Sequence, residues 1–359
     1  MATEPSRAAL RVRFAEARAG GLRPKDAAES LGLSEGAAIA AHVPGAGEDL
    51  PAAGLRAVRL RGPWIDLLRS LEDCGPLMAL TRNASVVHEK TGVYQGLSAQ
   101  GPVGLAVGED IDLRIFFHHW ACGFAVHEPA REGPAGPQPS LQFFDANGTA
   151  VHKIYPRGQT DAARWQQVAA DFADTTSPPP RFVPAEAPVP PRPDDTIDVE
   201  AFGQAWAGMH DTHEFFGLLR QHGVERQQGL ELMEGRFTQR VPAASVRTLL
   251  QAAATGGTPV MVFVGNPGCI QIHTGPVRRI EPMGPWLNVL DPGFNLHLRE
   301  DHIAGAWVVE KPTDAGTVTS LEVFDSARRL IVQFFGARQP GQAEQPAWRA
   351  LVAPLRQPA

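Results

Sequence analysis

In the second half of the chain the hydrophobic pattern changes period. The spacing predicts helices over Ile197–Met209, Thr212–His222, Arg226–Met233 and Ser245–Ala254. Gly223 is placed to end the second of these. Asp211, with Glu214 three residues on, has the form of a capping box. Beyond them, short β-rich runs follow: Pro259–Val264, Cys269–His273, Leu287–Leu290, Asn295–Leu298, Ala306–Glu310, Ser320–Phe324 and Leu330–Phe335. Turn signals such as Thr313-Asp314-Ala315-Gly316 separate these runs at hairpin spacing. Strands joined by short turns imply an antiparallel sheet, with the helices segregated from it, which is the α+β class.

The first half repeats this pattern, with Asp145-Ala146-Asn147-Gly148 as a hairpin turn. Sliding the sequence by 183 positions puts Pro76 on Pro259, Asn83 on Asn266, Thr91-Gly92 on Thr274-Gly275 and His119 on His302. A shift of 180 puts Ser140–Asp145 on Ser320–Asp325, and 183 returns for Trp165 and Trp348. An offset held over about 100 residues marks an internal duplication. Residues 177–193 hold eight prolines, a composition that favours polyproline II and works as a semi-rigid spacer. The predicted organisation is an N-terminal repeat over 1–176, a linker over 177–196 and a C-terminal repeat over 197–359.

Composition narrows the function. A length of 359 residues fits two cores better than one, and 43% hydrophobic with 20% charged residues is ordinary for a globular chain. A net charge of −6 gives no support to nucleic-acid binding or to an anionic membrane surface. Cys74, Cys122 and Cys269 are odd in number and far apart, without CxxC or CxxCH, which argues against a disulfide framework, a zinc knuckle and covalent c-type haem. No apolar run is long enough to span a bilayer, and the charged N-terminus lacks the core of a secretion signal. A reducing cytoplasm is the expected compartment.

No phosphate-binding loop, nucleophile elbow, HExxH or calcium loop is present. Residues 23–40 have a helix-turn-helix outline, but the second helix offers alanines and one Glu where base contacts need Arg, Lys, Asn or Gln, so it reads as a packed helical pair. Histidine is more informative. His213 falls in the first turn of its helix, where the dipole favours the neutral imidazole that binds metal, and Phe215 and Phe216 follow it. One imidazole among aromatics suits a flat iron-centred ligand better than zinc, although a structural histidine is the commoner case. Arg114 interrupts the strand Leu113–Phe117. It shares a face with Asp112, Phe116 and His118, either solvent or the wall of a polar-rimmed pocket. His88, His118 and His119 read as structural groups or as a secondary site in the first half.

The segments TRNASVVHEKTGVY (81–94), DIDLRIFFHHWACGFAVHE (110–128), SLQFFDANGTAVHKIY (140–155), HDTHEFFGLLRQHGVERQQ (210–228), GNPGCIQIHTGPV with MGPWLNVLDPGFNLHLREDHIAGAWVVEKPT (265–313) and SLEVFD with QFFGAR (320–338) carry a resemblance. The chain resembles the HemS/HmuS/ChuS family of cytoplasmic haemin-binding and haemin-degrading proteins. The resemblance spans nearly everything but the linker and termini. It implies two similar halves, each with a large antiparallel sheet and a helical cluster, and a non-covalent b-type haem in a cleft between them. It implies His213 as the proximal ligand of the haem iron. Arg114 would be the distal, water-mediated residue and the candidate catalytic group, with Phe116 lining the pocket. Arg226, Lys311, Gln333, Phe335 and Arg338 would contact the propionates or rim; Phe335 stands near where the family often has tyrosine, so no hydroxyl is available there. The implied function is handling of imported haem for iron acquisition, with oxidative degradation driven by an external electron donor. A non-catalytic carrier delivering haem to a separate oxygenase is the alternative. The implied partners are haem, a haem importer and an oxygenase or reductase; nucleic acid and stable membrane insertion are not expected.

Overall fold

The computed structural model describes residues 6–45, 48, 54–128, 138–339 and 341–356. It divides into two units. Unit 1 comprises residues 1–82, 89–186 and 266–271, and unit 2 comprises 83–88, 187–265 and 272–359. The division departs from a simple halving: each unit contains six residues numbered in the other repeat.

In chain order the first repeat forms α1 (Arg7–Ala19), α2 (Pro24–Ser30), α3 (Glu35–Ala40), β1 (Arg56–Leu60), α4 (Trp64–Ser70), β2 (Leu77–Arg82), β3 (Val86–Gly92), β4 (Leu97–Gln100), β5 (Val103–Val107), β6 (Asp112–Phe116), β7 (Cys122–Glu128), β8 (Gln138–Phe144), β9 (Ala150–Pro156) and α5 (Ala162–Asp171). The second forms α6 (Val199–Ala207), α7 (Glu214–His222), α8 (Arg226–Leu232), β10 (Thr238–Val241), α9 (Ser245–Gly256), β11 (Val260–Asn266), β12 (Cys269–Gly275), β13 (Ile280–Met283), β14 (Trp286–Asp291), β15 (Phe294–Arg299), β16 (Gly305–Lys311), β17 (Val318–Phe324), β18 (Leu330–Gly336) and α10 (Pro346–Val352). The order of helices and strands is the same twice over, so the chain is an internally duplicated α+β protein.

Unit 1 contains strands in the order β1-β7-β8-β9-β2 and a separate run β4-β5-β6; unit 2 contains β10-β16-β17-β18-β11 and β13-β14-β15. Their pairs are antiparallel. Even a register shift recurs, between Phe143 and Phe144 in β8 and between Val323 and Phe324 in β17. The hairpin turns predicted at 145–148 and 313–316 are both formed, the first with Gly148 at φ 80° where a Cβ would be strained.

Helices α4 and α5 cover the unit 1 core, contributing Leu67, Leu68, Trp165 and Val168 against Phe143 and Ile154. In unit 2, Leu249 and Leu250 of α9 and Trp348 of α10 pack on Val262, Val323 and Phe334. The helix-turn-helix outline of residues 23–40 is a packed pair: Ala27, Ala28, Ala38 and Ile39 are buried, and Glu35 is buried against Lys153. The proline-rich stretch carries no regular structure from 177 to 193, yet part of it is anchored. Val183 donates from its backbone N–H to Ala146 O at 3.0 Å, and the half-buried Phe182 packs into the cluster around Phe144.

Candidate functional site

Unit 2 holds His213 at the entrance to α7. The helix runs Glu214–His222 and stops at Gly223, φ 63°. Its start differs from the capping box read in Asp211 and Glu214. His213 occupies the N-cap position without a side-chain cap bond. Asp211 Oδ1 instead accepts from His213 N–H at 2.8 Å and pairs with His213 Nδ1 at 2.5 Å. Glu214 Oε2 accepts from the His210 N–H at 3.3 Å. The box that does form is Glu225 with Gln228, opening α8. A backbone hydrogen bond from His213, helped by its imidazole and by Arg338, holds the Asp211 carboxyl below the usual range.

This arrangement has a chemical consequence. With Nδ1 bound to Asp211, the remaining Nε2 is the imidazole's outward atom, and the side chain is 89% exposed. A carboxylate on one nitrogen that fixes ring and tautomer for a metal on the other is the usual support of a histidine ligand. Among the described residues no group of three or more His, Cys, Asp or Glu side chains could hold a metal ion. His210 is engaged elsewhere: its Nδ1 pairs with Asp314 Oδ1 at 2.7 Å, which raises its pKa.

A second group in unit 2 gathers round Glu322. β17 is buried along its whole length, so alternation does not bring Glu322 to water, and it is 0% exposed. Arg226, the first residue of α8, donates Nε and Nη2 to the two carboxylate oxygens at 2.8 and 2.9 Å. Lys311 Nζ, at the end of β16, donates at 2.6 Å, Gln333 Nε2 of β18 at 3.0 Å and Ser320 Oγ at 3.3 Å. Burial alone raises the Glu322 pKa, but Arg226 and Lys311 outweigh it and hold the carboxyl well below the usual range. Burial lowers that of Lys311, partly offset by Glu322. Removing one partner from such a buried set costs roughly 3–5 kcal/mol. Phe215 forms the floor: Lys311 Nζ lies 4.5 Å and Arg226 Cζ 5.2 Å from its ring centroid.

The resemblance implied Arg226, Lys311, Gln333 and Phe335 as separate contacts, and the structure brings them together. Lys311 also lies 5.9 Å from the Phe335 ring, which in turn packs on Phe263 at 5.1 Å. Glu322, which unites them, was missed. Phe215, two residues after His213, is buried against Trp206 at 4.6 Å; Phe216 is the exposed one, at 66%. It borders an open groove of about 520 Å3 that includes Pro191, Arg192, Arg220 and Arg226.

Arg114 and Phe116 lie in unit 1 on β6, whose alternation is as expected: Leu113 and Ile115 point into the core and Arg114 and Phe116 are half-buried on the opposite face. Arg114 pairs with Asp112 on that face and also donates to Leu113 O at 3.3 Å. The Phe116 ring sits 6.4 Å from that of His118, edge to face. His88 is fully buried within unit 2, 5.0 Å from the Phe294 ring, and so is enclosed by core.

An imidazole with its outer nitrogen presented, an exposed Phe216 three residues on, and the cations Arg226 and Lys311 over Phe215 fit a flat apolar ligand bearing a metal and carboxylates. A profile of the "Haemin-degrading HemS.ChuX domain" matches residues 32–172 and again 223–355. The chain is 39% identical over 300 residues to the hemin transport protein HemS of Yersinia enterocolitica, covering 83% of this chain and 86% of that one. It superimposes on holo-PhuS, a heme-binding protein from Pseudomonas aeruginosa, with a TM-score of 0.91 at 42% identity, covering 99% and 100% of the two chains. The match to ChuS, an E. coli heme oxygenase, has a TM-score of 0.83 at 34% identity, over 97% and 99%. The chain therefore belongs to the HemS family of haemin-degrading proteins and carries the family's domain twice.

Proposed function

We propose that this protein binds haem through His213 and handles it for iron acquisition in the cytoplasm, holding it in a state open to oxidative ring opening. The observation that carries this is the His213 imidazole, oriented by Asp211 and exposed at Nε2. Support comes from relatives whose names are hemin transport protein, heme-binding protein and heme oxygenase. Three free, buried cysteines support a reducing compartment, and among the described residues no helix is long and apolar enough to cross a membrane.

Haem, as the substrate, supplies a redox-active iron and an oxidisable ring. The chain's own residues bind, orient and donate. His213 ligates the iron, and Asp211 keeps its ring in one tautomer. Arg226, with Lys311 and Gln333 behind it and Arg338 near Asp211, receives carboxylates on the ligand rim through charge-assisted bonds. Phe335 and Phe116 contribute apolar surface. Arg114, steadied by Asp112 in unit 1, would act on the ligand through water. No side chain here supplies electrons, so a reductase is the implied partner for turnover, with a haem importer upstream and an oxygenase as the recipient if haem is passed on intact.

The test is an absorbance titration of ferric haem into wild type, His213→Ala and Asp211→Ala, followed by ascorbate in air with catalase present. A stoichiometric Soret shift in wild type, lost in His213→Ala and weakened about 10–100-fold in Asp211→Ala, is expected. Unchanged binding by His213→Ala overturns the ligand assignment. Loss of the Soret band to a linear tetrapyrrole despite catalase establishes turnover; haem that is reduced and persists identifies a carrier.

A further inference from the structure

The Glu322 cluster has a counterpart in the first repeat with the charges rearranged. By the matching strand ranges, Glu322 falls on Gln142, Gln333 on Lys153 and Lys311 on Glu128. Arg226 and Glu35 are the first residues of the matching helices α8 and α3. In unit 1, Lys153 Nζ bonds Glu35 Oε1 at 2.5 Å and Glu128 takes Arg18 at 2.7 Å. Gln142 donates to Ser140 Oγ at 3.0 Å, while its Oε1 meets no partner among the described residues. The repeat therefore folds with a neutral, fully buried amide where unit 2 has a carboxylate. The sheet does not require that charge.

We propose that Glu322 is a built-in carboxylate that competes with the carboxylates of an anionic porphyrin for Arg226 and Lys311, lowering the affinity for them and easing release. The proposal rests on the haem reading above. Its geometry is specific. Glu322 already takes two of the five N–H donors of Arg226, leaving the guanidinium's other donors, on a side chain 25% exposed, for a ligand. Lys311 is 3% exposed and committed to Glu322, so it acts on a ligand as charge rather than by contact. Two cations and one anion leave the empty cluster with a single positive charge. An arriving carboxylate meets that residual charge instead of two, and meets a guanidinium already shared. Glu322 is thus a positioning residue that sets how strongly carboxylates are held.

The discriminating pair of ligands is ferric protoporphyrin and its dimethyl ester, which differ only in the carboxylates. A purely structural role for Glu322 alters both affinities alike; competition alters their ratio. For Glu322→Gln, the isostere tolerated at Gln142, the preference for the free acid over the ester is expected to rise about tenfold relative to wild type, with the Soret position set by His213 unchanged. Lys311→Met, which leaves Glu322 with Arg226, Gln333 and Ser320, is expected to lower the same preference, and it decides the matter alone if Glu322→Gln does not fold. A preference unmoved by Glu322→Gln, or by Lys311→Met in its place, overturns the proposal while leaving the haem assignment standing. Absence of haem binding by wild type overturns the assignment itself.

Discussion

At the scale of single residues, burial decides which titrations matter. In unit 1, His152 bonds Thr81 Oγ1 at 2.9 Å through Nδ1 and the Tyr94 hydroxyl at 2.7 Å through Nε2. Thr81 in turn donates to Cys269 Sγ at 3.6 Å. Burial lowers the His152 pKa to about 3 and raises the Cys269 thiol to about 12, so the network is neutral throughout the physiological range. A histidine whose folded pKa is depressed contributes stability above its unfolded pKa, near 6.5, and that contribution falls away as pH drops towards 3. Chemical denaturation of wild type should therefore show a midpoint that falls between pH 6.5 and 4, with a shallower slope in His152→Gln. His213 and Arg114 stood out at this scale because their residue types are unusual where they were read: a histidine in the first turn of a helix, an arginine inside an apolar strand; the remaining candidates came from the resemblance alone. Glu322 did not stand out, because one acidic letter in Ser-Leu-Glu-Val-Phe looks like the outward face of a strand. The signal that could have found it is Gln142, a polar residue at the same place of the other repeat, between equally apolar neighbours.

The elements themselves were well marked where packing and period agree. All seven strands read from the second half form, each one or two residues longer than read, with β11 beginning one residue later, at Val260. The two missed, β10 and β13, are edge strands of their runs, short and partly exposed, and β13 contains Pro282, which argues against a strand in any sequence reading. The helix read as Ile197–Met209 is shorter, Val199–Ala207, because Asp198 caps it by accepting from Ala201 N–H. α7 likewise starts two residues late, because Asp211 spends its carboxylate on His213. Close approach between elements is set by glycine at one point in particular. A Cβ on Gly336 of β18 would lie 2.6 Å from Cβ of Trp348, the fully buried anchor of α10. Gly336→Ala should cost about 1–3 kcal/mol in urea unfolding, since backbone and not a flexible side-chain end must yield.

At the scale of the whole molecule, the duplication was legible from the constant offset, but the six-residue segments assigned to the opposite units were not. The matched pair Asn83 and Asn266 shows how they are held. Within unit 2, Asn83 Nδ2 donates to Gly265 O at 3.2 Å and Ile331 O at 2.9 Å, and its Oδ1 accepts from the N–H of Ser85 and Val86. Within unit 1, Asn266 Nδ2 donates to Arg82 O at 2.9 Å and Val151 O at 2.8 Å, and its Oδ1 accepts from Gly268 and Cys269. The offset pairs the two asparagines without showing where either is held, because periodicity reports local spacing and not which part of the chain a turn docks on. Each substitution should act on the unit that holds the residue. Asn266→Ala is expected to lose roughly 2–4 kcal/mol with increased amide exchange in unit 1, and Asn83→Ala in unit 2. Equal loosening of both units by either variant would refute this.

That exchange of segments bears on how the protein is made. A chain emerging from the ribosome usually completes its first domain before the second is translated. Here residue 186 ends the main body of unit 1, but Gly268, whose carbonyl accepts from the Trp120 indole at 2.9 Å and from the Phe116 N–H at 3.0 Å, has not yet been synthesised. Roughly 80 further residues must appear, a wait on the order of 4–15 s at typical elongation rates, during which the strand carrying Arg114 lacks its closing bond. The first repeat thus stays unfinished until the segment 266–271 follows the His213 helix off the ribosome, while the second repeat still awaits residues 272–359.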